Sequence, residues 1–128
     1  MNTQTQIQNN NPLIEITFIH TARVEAELLD LLPAFLINRH VEIKKLKTYL
    51  EALDFAEIKK IGHDLRGIPG AFGYNFLVEI GKRVEMAAIS KNEKLLKDLL
   101  QEYELTLRYH IVKIEGDEKL YNEKDFIS

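Results

Sequence analysis

The chain of 128 residues contains no cysteine, which excludes disulfide bonds, thiolate metal ligands and a cysteine nucleophile. Its 45% hydrophobic and 29% charged residues are typical of one globular domain, which at this length needs no metal to fold. The net charge of −3 lacks the basic surplus of most nucleic-acid-binding proteins, and no apolar stretch reaches the roughly 20 residues that span a bilayer. We therefore expect a cytoplasmic monomer that binds neither nucleic acid nor membrane.

The N-terminal residues differ in composition from the rest of the chain. Residues 1–12 are mostly Asn, Gln and Thr and lack the basic start and apolar core of a secretory signal, so we expect a disordered tail. Residues 13–19 are rich in β-branched side chains, which predicts a short extended segment. The domain itself is expected over residues 13–116, followed by a polar C-terminal tail over 117–128.

Apolar residues then recur at three- and four-residue steps, which predicts helices. The first stripe runs from Leu28 to Leu53, with Pro33 kinking this helix or marking its start. Asp54 is a plausible N-cap for a second helix, because Glu57 follows it at the capping-box position. The run Gly67-Ile68-Pro69-Gly70 must end or distort that second helix.

Two more helices complete the predicted fold. The third carries Phe76, Leu77, Ile80 and Val84, and the fourth, capped by Asn92, runs on toward Ile111. Four helices with short connections predict an all-α, up-down-up-down four-helix bundle. The extended segments 13–20 and 111–115 are expected to form a short antiparallel two-stranded pairing that closes one end of this bundle.

Most small-molecule enzyme classes lack their usual motifs in this chain. No histidine has a glutamate three residues before it, and His-Glu-x-x-His is absent, so we expect no metal site. There is no Gly-x-Ser-x-Gly elbow of a serine hydrolase. The glycines form neither a Walker-A loop nor Gly-x-Gly-x-x-Gly, so no ATP site is expected.

His63 differs from the other histidines because its helix turns it away from the apolar face. At about 100° per residue, it projects more than about 120° from the centre of the face marked by Ile58, Gly62 and Leu65. One turn to either side lie three cations and a glycine: Lys59, Lys60, Arg66 and Gly67. Nearby cations favour a neutral, nucleophilic ring and would stabilise a phosphoryl group bound to it. The alternative is an ordinary solvated helix face that carries a chance histidine.

Gly67 supports the first interpretation. Inside a helix a glycine costs about 1 kcal/mol relative to alanine. This cost is easier to understand if a Cβ atom at position 67 would obstruct a group that docks over the imidazole of His63.

The run from His63 to Gly73 resembles the motif of histidine-containing phosphotransfer (HPt) domains, in which His-x-Leu-Lys-Gly is followed by five residues and a glycine. His63, Leu65, Gly67 and Gly73 match this pattern, and Arg66 replaces the lysine with another cation. The resemblance covers roughly residues 28–109, because the segments before the motif and the two apolar helices after it are also similar to the family.

Two residues after the matched glycine depart from the family pattern. Ile68 and Pro69 stand where family members more often carry small or polar residues. Pro69 removes a backbone donor and should end the helix that carries His63 early. We expect both residues to change helix length and partner preference rather than activity.

The resemblance implies a phosphorelay intermediate and not an enzyme. His63 would accept a phosphoryl group from the aspartate of a receiver domain, downstream of a hybrid sensor kinase, and pass it to another receiver. Arg66 with Lys59 and Lys60 would neutralise charge on that group, Gly67 would leave room for it, and Gly73 would let the next helix begin close to the site. The Mg²⁺ ion of such a transfer belongs to the receiver, so no cofactor is expected in this chain.

Two other interpretations stay open. The domain could dock receivers as an adaptor without carrying phosphate, or it could be a helical bundle with an unrelated binding role. Structural roles are expected for His20, His40 and His110, of which His110 lies near a helix C-terminus, where the helix dipole favours a cation.

Overall fold

The computed structural model of the protein describes residues 19–128. The predicted tail over 1–12 and most of the predicted extended segment over 13–20 lie outside these residues. The described helices and strands are, in chain order, β1 (Thr21–Val24), α1 (Leu32–Glu51), α2 (Phe55–Leu65), α3 (Ile68–Ala71), α4 (Asn75–Ile89), α5 (Glu93–Tyr109), β2 (Ile111–Ile114) and β3 (Leu120–Asn122). Short 3-10 helices, Ala26–Leu31 and Glu123–Asp125, precede α1 and follow β3.

The four predicted helices are confirmed as α1, α2, α4 and α5, and local signals set where they begin. Pro33 lies in the first turn of α1, where its missing N–H has no helical partner to lose. The side chain of Asp54 accepts a hydrogen bond from the backbone N–H of Glu57, and Asn92 does the same for Leu95. Both predicted N-caps are therefore confirmed.

The predicted end of the first helix is wrong at Leu53. This residue was expected on the apolar stripe, but it follows α1 with a φ of +54° and is 48% exposed. It occupies the connection between α1 and the N-cap of α2. The left-handed conformation reverses the chain there, and apolar periodicity does not report it.

The helices bury one shared core. Helix α1 packs against α2 and α5, and α4 packs against the same two helices, so each long helix touches two others. The core side chains come from all four long helices and include Leu36, Leu46, Ile58, Leu65, Leu77, Ile80, Leu99 and Leu107. No helix within residues 19–128 has the length and apolarity needed to cross a membrane.

The small sheet differs from the predicted pairing of 13–20 with 111–115, because the strands on the two sides of β2 are β1, which begins at Thr21 after the predicted segment, and β3. Strand β1 pairs with β2 in parallel, Ala22 opposite Val112 and Val24 opposite Ile114, and all four of these side chains are buried. Parallel strands need a crossover connection, and the intervening helices supply it. The antiparallel expectation assumed that the strand runs straight into α1, whereas the 3-10 helix Ala26–Leu31 separates the two.

The C-terminal residues also differ from the expectation of a polar tail over 117–128. Leu120–Asn122 forms β3, which pairs antiparallel with β2. The side chain of Glu123 then reaches α1, where Oε1 lies 2.8 Å from His40 Nε2. Because the contact between His40 and Glu123 joins residues 83 positions apart, composition alone could not indicate it.

The break after α2 is confirmed. Helix α2 ends at Leu65, and the single-turn helix α3 begins at Ile68 with Pro69 in its first turn. Gly67 lies between the two helices, so the assumption that it occupies a helix interior is wrong.

Candidate functional site

Two glycines bring α2 and α4 into close contact beside His63. A Cβ atom on Gly62 would lie 2.6 Å from the backbone nitrogen of Glu85 and 2.9 Å from the carbonyl oxygen of Gly81. A Cβ atom on Gly81 would lie 2.5 Å from the Cβ atom of Leu65. No larger residue fits at either position without moving a helix. The crossing therefore fixes Glu85 next to the turn of α2 that carries His63.

Glu85 bridges His63 and Arg66. The imidazole of His63 is 68% exposed, and its Nδ1 atom lies 3.4 Å from Oε2 of Glu85. The other oxygen, Oε1, accepts a hydrogen bond of 2.6 Å from Nη1 of Arg66. One carboxylate thus connects the exposed imidazole to the guanidinium three residues later. The predicted exposure of His63 is confirmed.

The carboxylate of Glu85 is held in its ionised form. The hydrogen bond from Arg66 lowers the pKa of Glu85 below its ordinary value, and His63 lowers it further, while partial burial opposes both. At neutral pH the centre of the site is therefore an anion flanked by an arginine and an imidazole.

The two lysines predicted around the ring do lie beside it. His63, Lys59 and Lys60 line the same surface depression of about 520 Å³, together with Glu85. Lys60 Nζ is 2.9 Å from a carboxylate oxygen of Glu57, whereas Lys59 forms no ion pair within residues 19–128. The positive charge expected around His63 is therefore partly neutralised, because Arg66 and Lys60 each form an ion pair with a carboxylate.

The two glycines of the motif have different surroundings. A Cβ atom on Gly67 would meet only the carbonyl oxygen of Asp64, at an ordinary contact distance of 3.5 Å, so packing does not require glycine there. Gly73 has a φ of +81°, and a Cβ atom would overlap the carbonyl oxygen of Arg23 in β1. The contact with β1 accounts for Gly73, and its predicted role near the phosphoryl group stays a prediction.

The other histidines lie in structural settings. His20 stacks on Phe76 with ring centroids 4.6 Å apart, and His40 contacts Glu123 as described above. His110 is 1% exposed. Its Nε2 atom lies 2.7 Å from the Tyr74 hydroxyl oxygen, and its Nδ1 atom lies 2.6 Å from the Leu107 carbonyl oxygen.

The hydrogen bonds of His110 determine its form. Because a carbonyl oxygen only accepts, Nδ1 carries the hydrogen, and in the neutral ring Nε2 accepts from Tyr74. Burial lowers the pKa of His110. The expectation of a cation favoured by the helix dipole at this position is therefore wrong, since the side chain is enclosed instead of exposed.

Sequence reasoning missed Glu85, the residue that organises this site. It follows His63 by 22 positions and lies on another helix, so no local motif connects them. The available signal was the pair Gly62 and Gly81, because glycine inside a helix is costly unless a backbone must approach closely. Such a crossing would have placed residue 85 beside the motif.

The described residues contain no group of three or more His, Asp or Glu side chains arranged to hold a metal ion. Comparison of the chain with protein-family models, with curated proteins and with solved structures found no match. The resemblance to the HPt family is therefore one of sequence alone, in the residues from His63 to Gly73 and the segments around them.

Proposed function

We propose that this protein is a histidine phosphotransfer protein of a two-component phosphorelay, with His63 as its phosphoacceptor. The observation that carries the proposal is the exposed imidazole of His63, whose Nδ1 atom faces the carboxylate of Glu85 while Arg66 binds the same carboxylate. No packing contact among the described residues requires glycine at position 67, which leaves the proposed clearance for a docked group as a reason for it.

The arrangement favours one nitrogen as the nucleophile. An ionised carboxylate opposite Nδ1 favours the tautomer with hydrogen on Nδ1, which leaves a lone pair on Nε2. In the proposed transfer this lone pair attacks the phosphorus of a receiver's aspartyl phosphate. The P–N bond forms, the P–O bond breaks, and the aspartate leaves with the electron pair. The reverse step passes the phosphoryl group to a second receiver.

The cations would stabilise charge on the transferred group. Lys59 has no ion pair within the described chain and lines the depression beside the imidazole of His63, so it is the cation most available to phosphoryl oxygens. Arg66 can contribute once it leaves Glu85. Lys60 would have to release Glu57 first.

The proposal includes a set of partners and a setting. The partners are receiver domains, which supply the Mg²⁺ ion, and an upstream hybrid sensor kinase, which supplies the phosphoryl group from ATP. The ring of contacts among α1, α2, α4 and α5 supports an up-down-up-down bundle. We propose a monomeric carrier in the cytoplasm, with no ATP site and no cofactor of its own.

The test is phosphotransfer from a phosphorylated receiver. The wild-type chain should gain an acid-labile, base-stable label, and His63→Gln should abolish it without loss of stability, because an exposed side chain contributes little to folding. His40→Gln is the matched control, since it removes another histidine, whose side chain is 43% exposed. Label retained in His63→Gln, or lost in His40→Gln, would refute the assignment.

The same experiment separates the adaptor alternative. A chain that binds the receiver in a pull-down but never gains label, even with excess phosphorylated receiver and Mg²⁺, is an adaptor and not a carrier. A helical bundle with an unrelated binding role would neither bind the receiver nor gain label from it.

A further inference from the structure

Glu85 has a place in the site that phosphoryl acceptance alone does not explain. Its side chain is 14% exposed and uses both oxygens, one toward the ring of His63 and one toward Arg66. At 2.6 Å, the contact with Arg66 is at the short end for a charge-assisted hydrogen bond. In the unphosphorylated protein, Arg66 is therefore already bound to an anion.

A phosphoryl group on His63 would place a second anion near the same guanidinium. Residues three positions apart lie one above the other on a helical turn, so Arg66 is a neighbour of the modified ring. A phosphoryl group carries up to about two negative charges, which exceeds the single charge of a carboxylate. The two anions repel each other, and the backbone of Glu85 is packed against Gly62, so only a rotation of its side chain could separate them.

Building on the proposed function, we propose that Glu85 is a resident counter-anion that competes with the phosphoryl group of His63 for Arg66 and thereby shortens the lifetime of the phosphohistidine. Arg66 bound to Glu85 is withheld from the phosphoryl oxygens. The phosphohistidine is then stabilised less, and the group leaves more readily. Such an arrangement suits a carrier that must pass its phosphoryl group on.

The lifetime can be measured without any receiver. Phosphoramidate is a small phosphodonor: the Nε2 lone pair of His63 attacks its phosphorus, the P–N bond of the donor breaks, and ammonia leaves with the electron pair and a proton. In the decay, water attacks the phosphorus, the bond to the ring breaks, and the electron pair returns to Nε2. In the proposal, the contact from Arg66 stabilises the phosphoryl oxygens of the phosphohistidine more than those of the transition state, and it therefore slows this decay.

Four variants form the experiment: Glu85→Gln, Arg66→Gln, the double variant, and Glu79→Gln as the matched control. Gln keeps the size of the carboxylate and removes its charge. Glu79 lies on the same helix, pairs with Lys82 at 3.2 Å and is 65% exposed, so Glu79→Gln makes the same change of charge away from the site. After removal of donor, loss of phosphate from His63 is followed by mass spectrometry.

We expect Glu85→Gln to lengthen the lifetime at least threefold. This is roughly the factor for one cationic charge, that of Arg66, freed to act on the phosphoryl group about 6 Å away in a water-like dielectric. The lengthening should largely vanish when Arg66 is also Gln, because the effect acts through Arg66. Glu79→Gln should match the wild type. Equal lifetimes of wild type and Glu85→Gln, or an equal effect with and without Arg66, would overturn the proposal.

A second measurement compares the wild type with Glu85→Gln by NMR. Labelling of His63 by phosphoramidate should shift the signal of the Arg66 guanidinium more in Glu85→Gln than in the wild type, because Glu85 holds Arg66 away from the phosphoryl oxygens in the wild type. Equal shifts in the two chains would also overturn the role of Glu85. The two proposals fail separately. If phosphoramidate labels His63 but no phosphorylated receiver does, the phosphorelay function is refuted. If the phosphohistidine has the same lifetime in the wild type and in Glu85→Gln, only the role of Glu85 is refuted.

Discussion

Replacing Gly62 by alanine is the sharpest test of the helix crossing that places Glu85 beside His63. The new Cβ atom would meet two backbone atoms, at 2.6 and 2.9 Å, where ordinary contacts begin near 3.4 Å. Both atoms belong to α4, so a rotamer change cannot relieve the overlap. The nearest atom would have to retreat by roughly 0.8 Å, which moves α4 away from α2.

The expected change in stability follows from two opposing contributions. Overpacking a well-packed contact costs about 1–3 kcal/mol. Alanine returns up to about 1 kcal/mol as the better helix former. The free energy of unfolding should therefore fall by up to about 2 kcal/mol, which for a domain of this size lowers Tm by up to about 8 °C.

Urea unfolding followed by circular dichroism measures this change directly. Gly67→Ala is the matched control, because its Cβ atom would meet only one atom at an ordinary 3.5 Å, and its stability should stay within about 0.5 kcal/mol of the wild type. If Gly62→Ala proves as stable as Gly67→Ala, then α2 and α4 are not as close as described, and the contact between Glu85 and His63 loses its structural basis.

Three further predictions concern the rest of the fold. Burial lowers the pKa of His110 below 6.5, so the free energy of unfolding should be highest above about pH 6.5 and decline as the pH falls, because the unfolded chain binds the proton more readily. His110→Gln should flatten this dependence in urea titrations between about pH 7.5 and about pH 5. Leu53→Gly should raise the free energy of unfolding by up to about 1 kcal/mol, because leucine is strained at a φ of +54° and is half exposed there, and an unchanged or lower value in urea would contradict this. Gly73→Ala should destabilise the fold by more than about 1 kcal/mol, because its Cβ atom would overlap the Arg23 carbonyl oxygen and its φ is +81°. The folded fraction of this variant should be labelled on His63 at the wild-type rate, and slower labelling of fully folded protein would instead give Gly73 a role at the site.

Local features of the sequence determined where the helices lie and which way His63 faces. Asp54 and Asn92 cap helices through bonds to residues three positions away, and such bonds follow from the sequence itself. The exposure of His63 follows from the same periodicity that buries Ile58 and Leu65. These predictions succeeded because each depends on contacts within one turn of the chain.

Only the tertiary structure decided the features that depend on distant contacts. The direction of β1 against β2 depends on how the chain crosses the bundle, and the burial of His110 depends on Tyr74, 36 residues earlier. Glu85 joined the site through two glycines on different helices. Hydrophobic periodicity reports which face of a helix is buried, but the neighbour across that face is set by how the helices pack against each other.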